Sequence, residues 1–275
     1  MVSFGPNIGD IFRNYPLMSR FPFCYMAKTD KMIRITVHGS LNDFLRDEST
    51  GKSLLTAHFE LSPSVKDIIE SKGIPHTAIF KIVVNSVPES PDYNVTPGDK
   101  VEVYPFEKVA SGNFDPIFSS PYAFIADSHL AKLGRNLRLL GLDTLINEDN
   151  DDRETISLSN SEKRMILTRD LNLLQHGSAR YGYWVRSEDP NVQLEEILSR
   201  FDLKTHLQPF SRCMSCNGTL EATALDEVRD QVPPKVKEWC DQFHRCSNCG
   251  KVYWKGSHYE KLKEKVDRLI EKMEK

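Results

Sequence analysis

Two sets of residues in this sequence have types and spacings that could do chemistry. The first is four cysteines in two Cys-x-x-Cys pairs, Cys213/Cys216 and Cys246/Cys249. Each pair places two sulfurs on one tight turn, and two such turns complete the closed tetrahedral set of a structural Zn²⁺. A closed set leaves no position for substrate, so its expected role is to hold a fold together. The second set is acidic. Tyr122-Ala123-Phe124-Ile125-Ala126-Asp127 and Arg164-Met165-Ile166-Leu167-Thr168-Arg169-Asp170 are short apolar runs that each end in a carboxylate, with Asp151-Asp152 between them. Carboxylates gathered at strand ends suit a hard divalent cation, Mg²⁺ or Mn²⁺, and with it phosphodiester hydrolysis. The blander alternatives are that Asp127 is only a helix N-cap and that Glu148–Asp152 is a solvated loop.

For these acids to meet, the runs that carry them must be neighbouring strands of an open α/β sheet, delivering Asp127 and Asp170 to one rim. After Asp127, the residues Leu130, Leu133, Leu137 and Leu140 recur at helical spacing, and Gly141 stands where a helix would end. Leu142–Ile146 reads as a second strand, 152–162 as a helix, and Met165–Leu167 as a third strand. The start of that helix favours Asp152 as the middle ligand, with Asp151 as the alternative. Val192, Leu194, Ile197, Leu198 and Phe201 give a closing helix.

An earlier module is legible from about Asp30. Ile33, Ile35 and Val37 alternate with Arg34, Thr36 and His38, the period of a half-buried strand. A second strand falls at 54–61, a helix begins after Ser62-Pro63-Ser64 and ends at Gly73, and further strands cover 78–84 and 99–104. Strand, strand, helix, strand, strand is the order of a ubiquitin-like β-grasp.

The chain has 275 residues and a net charge of −3. A basic coat is absent, so nucleic-acid contact must come from local patches. Paired thiols suit a reducing compartment, so a cytoplasmic location is expected; Cys24 and Cys240 stand apart from the pairs. No run approaches the roughly 18 apolar residues of a membrane span. Residues 1–29, broken by Pro6, Pro16, Pro22, Arg13 and Arg20, read as an irregular extension. The expected organisation is that extension, a β-grasp domain over 30–106, a linker over 107–120, a nuclease-like domain over 121–204, a zinc ribbon over 205–260 and a helix over 261–275.

Phe124-Ile125-Ala126-Asp127, the segment Leu133-Gly134-Arg135-Asn136-Leu137-Arg138-Leu139-Leu140-Gly141-Leu142-Asp143, and Arg164–Asp170 together resemble the Mut-seven C-terminal ribonuclease domain of the PIN-like group. The spacing from Asp152 to Arg164 and the cysteine ribbon fit the same pattern. Val65–Glu70, Gly73-Ile74-Pro75-His76-Thr77, Val84-Asn85 and Pro97–Pro105 are similar to the ubiquitin-like domain that often precedes it. That domain is similar in turn to small sulfur carriers, but the chain runs on through Phe106-Glu107-Lys108-Val109 without a terminal Gly-Gly, so an interaction or RNA-positioning role is expected. The resemblance implies a PIN-like open sheet whose rim acids Asp127, Asp152 and Asp170 bind Mg²⁺ or Mn²⁺ and cut RNA, with a further acid from Glu188 or Asp189. Arg135 and Arg169 are expected to contact the scissile phosphate, because a guanidinium matches phosphate geometry; pairing with nearby acids is the alternative for each.

Lys251-Val252-Tyr253-Trp254-Lys255 interleaves lysines with aromatics, which suits a single RNA strand with stacked bases, though the same pattern serves an ordinary ribbon strand. Leu262, Val266, Leu269, Ile270 and Met273 share one face of the last helix, expected to pack on protein and not on membrane. Two readings stand together: a metal-dependent endoribonuclease acting on single-stranded RNA, with a protein partner for its ubiquitin-like domain, and a catalytically silent RNA-binding or adaptor protein on the same scaffold.

Overall fold

The period-2 pattern at the start of the first module becomes strand β1 (Met32–Val37), which buries Ile33, Ile35 and Val37 and exposes Arg34. The computed structural model describes residues 31–45, 54–105, 122–149 and 151–274. The expected extension over 1–29, Cys24 and the linker over 107–120 lie outside the described residues. From Lys31 onward the chain forms one compact unit.

With β2 (Leu54–His58), β3 (Ile79–Val84), β4 (Val87–Glu89) and β5 (Lys100–Pro105), β1 builds a five-stranded sheet in the order β2-β1-β5-β3-β4. Strand β1 runs parallel to β5 and antiparallel to β2. Helix α1 (Val65–Ser71) packs Val65, Ile68 and Ile69 into its core. A capping box starts the helix: the Ser64 hydroxyl accepts from the Asp67 N–H, and the Asp67 carboxylate accepts from the Ser64 N–H. Gly73, at φ +89°, ends it, because the Ile74 N–H must turn back to the Ile69 carbonyl. This is the β-grasp arrangement that the sequence predicts.

The second sheet holds β6 (Ala123–Ala126), β7 (Asp143–Ile146), β8 (Met165–Thr168) and β9 (Gly182–Trp184), all parallel, in the order β7-β6-β8-β9. Helices α2 (Ala131–Leu139), α3 (Asp152–Glu162), α4 (Leu171–Gln175) and α5 (Pro190–Arg200) flank it. Side chains alternate between faces: Phe124 and Ala126 pack with Leu133 and Leu137 of α2, while Ile125 packs with Ile156 of α3. Gly134 lets α2 lie close to the sheet, since a Cβ there would stand 2.7 Å from Ile146 Cγ1. Strand β7 begins one residue later than the pattern predicts. Leu142 is used to close α2, its N–H reaching the Leu137 carbonyl around Gly141.

The third sheet is antiparallel: β10 (Leu220–Thr223), β11 (Phe243–Cys246) and β12 (Val252–Trp254), with short helices α6 (Leu225–Val228) and α7 (Pro234–Lys237) between the first two strands. Helix α8 (Ser257–Glu274) follows and starts earlier than residue 261. It buries Val266 and Leu269 in the core of the parallel sheet, so its apolar stripe is spent on this protein's own fold. Among the described residues, no helix is long and apolar enough to cross a membrane.

The β-grasp sheet is fastened to the parallel sheet. Trp184 and Leu171 pack against the β-grasp core, and Phe80 packs against the other. The buried Thr77 hydroxyl donates to the Leu174 carbonyl at 2.8 Å, and His76 Nε2 lies 2.7 Å from the Ala179 carbonyl. Arg186 reaches Glu196 at 3.0 Å and the Ser40 carbonyl at 3.2 Å. Its Nε also stands 2.8 Å from an Asp43 oxygen, a charge contact whose angle is not that of a hydrogen bond.

Candidate functional site

A strand order of β7-β6-β8-β9 reverses direction between β6 and β8. In an open α/β sheet the crevice beyond the carboxyl ends at that switch point is where ligands bind. Asp127 follows β6 and Asp170 follows β8, so both expected acids arrive there. Thr168 links them: its hydroxyl donates to Asp127 Oδ2 at 2.9 Å and accepts from the Asp170 N–H at 2.9 Å.

The two acids differ in what holds them. Asp127 is 8% exposed, and no capping hydrogen bond involves its side chain, because a 3₁₀ turn over Ser128–Leu130 separates it from α2. Its partners are two hydroxyls, Thr168 and Ser128, and no cation pairs with it among the described residues. A carboxylate taken out of water normally finds a positive partner. Asp170 is exposed and caps α4, accepting from the Asn172 N–H at 2.8 Å. Capping α3 falls to Asp151, which accepts from the Arg153 and Glu154 N–H groups. Asp152 is the first helical residue, exposed, without a side-chain hydrogen bond among the described residues. Asn147, which the sequence reading passed over, ties this corner down by donating to the Asp151 carbonyl and the Thr155 hydroxyl.

Asp127, Asp152 and Asp170 do not bring their oxygens within 4.8 Å of one another as a set; among the described residues, the four cysteines are the group that does. Arg135 is exposed on α2. Arg169 is taken up by Glu188 at 2.8 Å, and Asp189 caps α5.

The four cysteines, Cys213, Cys216, Cys246 and Cys249, stand as expected for a metal. Cys213 and Cys249 sulfurs are 3.7 Å apart, and those of Cys216 and Cys246 are 3.4 Å apart. That is far beyond a disulfide bond and near the roughly 3.8 Å edge of a tetrahedron with zinc–sulfur bonds of about 2.3 Å. Burial opposes ionisation of Cys216, but the Gly218 N–H and the surrounding thiols bring it down to about 6. Cys249, despite the Lys251 N–H, is pushed up to about 12 by the same neighbours. Four thiols sharing charge in this way are a site that a soft cation completes. Cys240, apart from the set, is buried in the ribbon core.

The first knuckle is docked at the opposite end of the parallel sheet. Arg138, 4% exposed, donates to the Thr144, Met214 and Ser215 carbonyls. Asp143 accepts from Arg164 at 2.6 Å and from the Asn217 amide at 2.7 Å, with Arg212 at 3.4 Å. Burial alone would raise the Asp143 carboxyl, but Arg164, Asn217 and Arg212 together hold it below the usual range. Nothing in the sequence announces the meeting of Asp143 with Asn217 and Arg212, which lie 74 and 69 residues further along the chain.

The chain is an α/β protein in which an open parallel sheet with acids at its switch point is joined to a β-grasp module and a four-cysteine ribbon. A family model described as the Mut7-C RNAse domain matches residues 122–266, and one described as Mut7-C ubiquitin matches residues 30–110. The chain belongs to the Mut7-C RNAse domain family. A comparison with curated proteins found none that matches. Among solved structures, the crystal structure of SAMP1 from Haloferax volcanii is similar at 12% identity, covering 30% of this chain and 99% of that one, with a TM-score of 0.23.

Proposed function

We propose that this protein is a metal-dependent endoribonuclease whose cutting site is the rim formed by Asp127, Asp170 and Asp152. The observation that carries this reading is Asp127, buried with only hydroxyl side-chain partners at the switch point, its Thr168 partner also holding the backbone N–H of Asp170. Carboxylates in that state suit Mg²⁺ or Mn²⁺, which would supply an activated water and offset charge on the phosphate. The chain's own part is to hold the acids. Thr168 orients Asp127, and the Asn172 N–H at the start of α4 fixes the Asp170 carboxylate. Asp152, exposed on the first turn of α3, is the third acid of the proposed set. Arg135 positions the RNA backbone, and Arg169 does so after exchanging Glu188 for phosphate.

The cysteine cluster holds Zn²⁺ as a structural ion, in keeping with a reducing compartment such as the cytoplasm. RNA binding follows from the nuclease family, and the ubiquitin-like module is suited to contact a protein partner. The test is direct. Full-length protein is incubated with labelled single-stranded RNA in Mn²⁺ or Mg²⁺, and internal cuts are expected that EDTA stops and Asp127→Asn abolishes. Binding without cleavage under all these conditions would replace this reading with that of a silent RNA-binding scaffold.

A further inference from the structure

The ribbon carries a surface that holding the fold together does not require. Strand β12 lies between two clefts of about 500 and 330 Å³, both bordered by Tyr253, Trp254, His258 and Tyr259. Trp239, 59% exposed, walls the smaller one, and Phe210 walls the larger. Charge here has one sign. Lys255 and His244 line the larger cleft together with Arg212, whose charge is shared with Asp143, and no aspartate or glutamate lines either, although acids outnumber Lys and Arg in the chain by 39 to 36. The cleft between α5 and α8, by contrast, mixes Glu195 and Asp202 with Lys204 and Lys272.

Flat aromatic faces beside cations, with acids excluded, complement a polyanion that carries flat apolar groups: a single nucleic-acid strand with unpaired bases. An acidic peptide would use the cations but would leave the ring faces without their match. Helix α2 connects this surface to the acidic rim. Leu139 lines the larger cleft, and Arg135 and Lys132, both exposed, lie four and seven residues before it on the same stripe. Asp127 lies beyond the other end of α2, whose length is about 14 Å.

We propose that the paired clefts flanking β12 bind the single-stranded RNA substrate by stacking its bases, about one α2 length from the acidic rim. This rests on the ribonuclease reading for the path toward Asp127, but the binding itself is measurable without cleavage. The experiment compares full-length Asp127→Asn protein with the same protein carrying Trp239→Ala and Lys255→Glu, two exposed positions, using fluorescence anisotropy of a labelled oligoribonucleotide. Zinc content and circular dichroism check that the fold is kept, and Lys255→Glu alone serves if the double change disturbs it. A Kd raised tenfold or more, or about threefold for Lys255→Glu alone, with a shallower salt dependence, is the expected result. Unchanged affinity overturns the proposal and leaves the clefts to a protein contact. If the ribbon changes weaken binding while Asp127→Asn still cleaves, the cutting-site reading fails and the cleft assignment stands; the reverse pattern separates them the other way.

Discussion

The two ends of the parallel sheet use the same side chain in opposite ways. At the amino end, Asp143 is gripped by Arg164, Asn217 and Arg212, and that grip docks the cysteine knuckle. At the carboxyl end, Asp127 is the more deeply buried acid and has only hydroxyls around it. A buried charge that the fold satisfies is structural; one left short of a partner is held for something the fold does not contain. On the proposed reading the amino end serves stability and the carboxyl end chemistry.

The largest expected effect breaks the amino end. Cys246→Ser removes one of four sulfurs, and structural zinc sites of this kind contribute on the order of 10 kcal/mol to the folding of their module. The ribbon should lose its cooperative unfolding transition and its zinc, as read by calorimetry and metal analysis. A ribbon that melts as before would show that the sulfurs are not its staple. At the carboxyl end, Asp127→Asn is expected to lower cleavage at least about a hundredfold while leaving the melting temperature unchanged or higher, since it removes a buried charge that lacks a cationic partner. Loss of fold along with activity would place Asp127 in the same class as Asp143.

Asp143→Ala sharpens the difference from the other side. Breaking a buried pair costs roughly 3–5 kcal/mol, but Asp143 is partly exposed and Arg164 keeps Glu162 at 2.6 Å, so about 2 kcal/mol is expected in denaturant unfolding. Cleavage at saturating metal should be unaffected. The pH dependence has a definite sign. The folded-state pKa of Asp143 is depressed, so its contribution is present above the ordinary aspartate value near 4 and is lost as pH falls through the lower folded value. In Asp143→Ala that part of the acid-induced loss should disappear.

The uneven legibility of the sequence has the same physical origin. Elements showed because they depend on local periodicity and end signals: Ile33, Ile35 and Val37 on a strand, Gly73 and Gly141 at helix ends. The cysteines showed because their four ligands are two local turns. Asp127 and Asp170 showed because each ends an apolar strand. Thr168, Asp143 and Asn217 did not, because their roles come from partners distant along the chain, such as Asn217 to Asp143, that no spacing announces. The 3₁₀ turn after Asp127 does not show either: the leucine stripe runs through it unbroken, and the hydrogen bonds of Leu130 to the Asp127 carbonyl and of Ala131 to the Ser128 carbonyl distinguish it from α-helix.

The smallest expected effect tests whether the carboxyl end depends on the β-grasp module. Thr77 sits fully buried with its hydroxyl on the Leu174 carbonyl, and Leu174 belongs to α4, the helix that Asp170 caps. Gly182 opposite leaves no slack, because a Cβ there would already meet both Leu174 and Thr77. Thr77→Val keeps the shape and removes the donor, leaving a carbonyl unpaired at a cost of about 1–2 kcal/mol. If the module braces the rim, that cost should fall on α4: amide exchange at Leu173–Gln175 should quicken and the Mn²⁺ requirement for cleavage should rise severalfold, while the amino-end network keeps its protection. Faster exchange confined to the β-grasp sheet, with the metal requirement unchanged, would mean that the module rides on the nuclease without helping to build its rim.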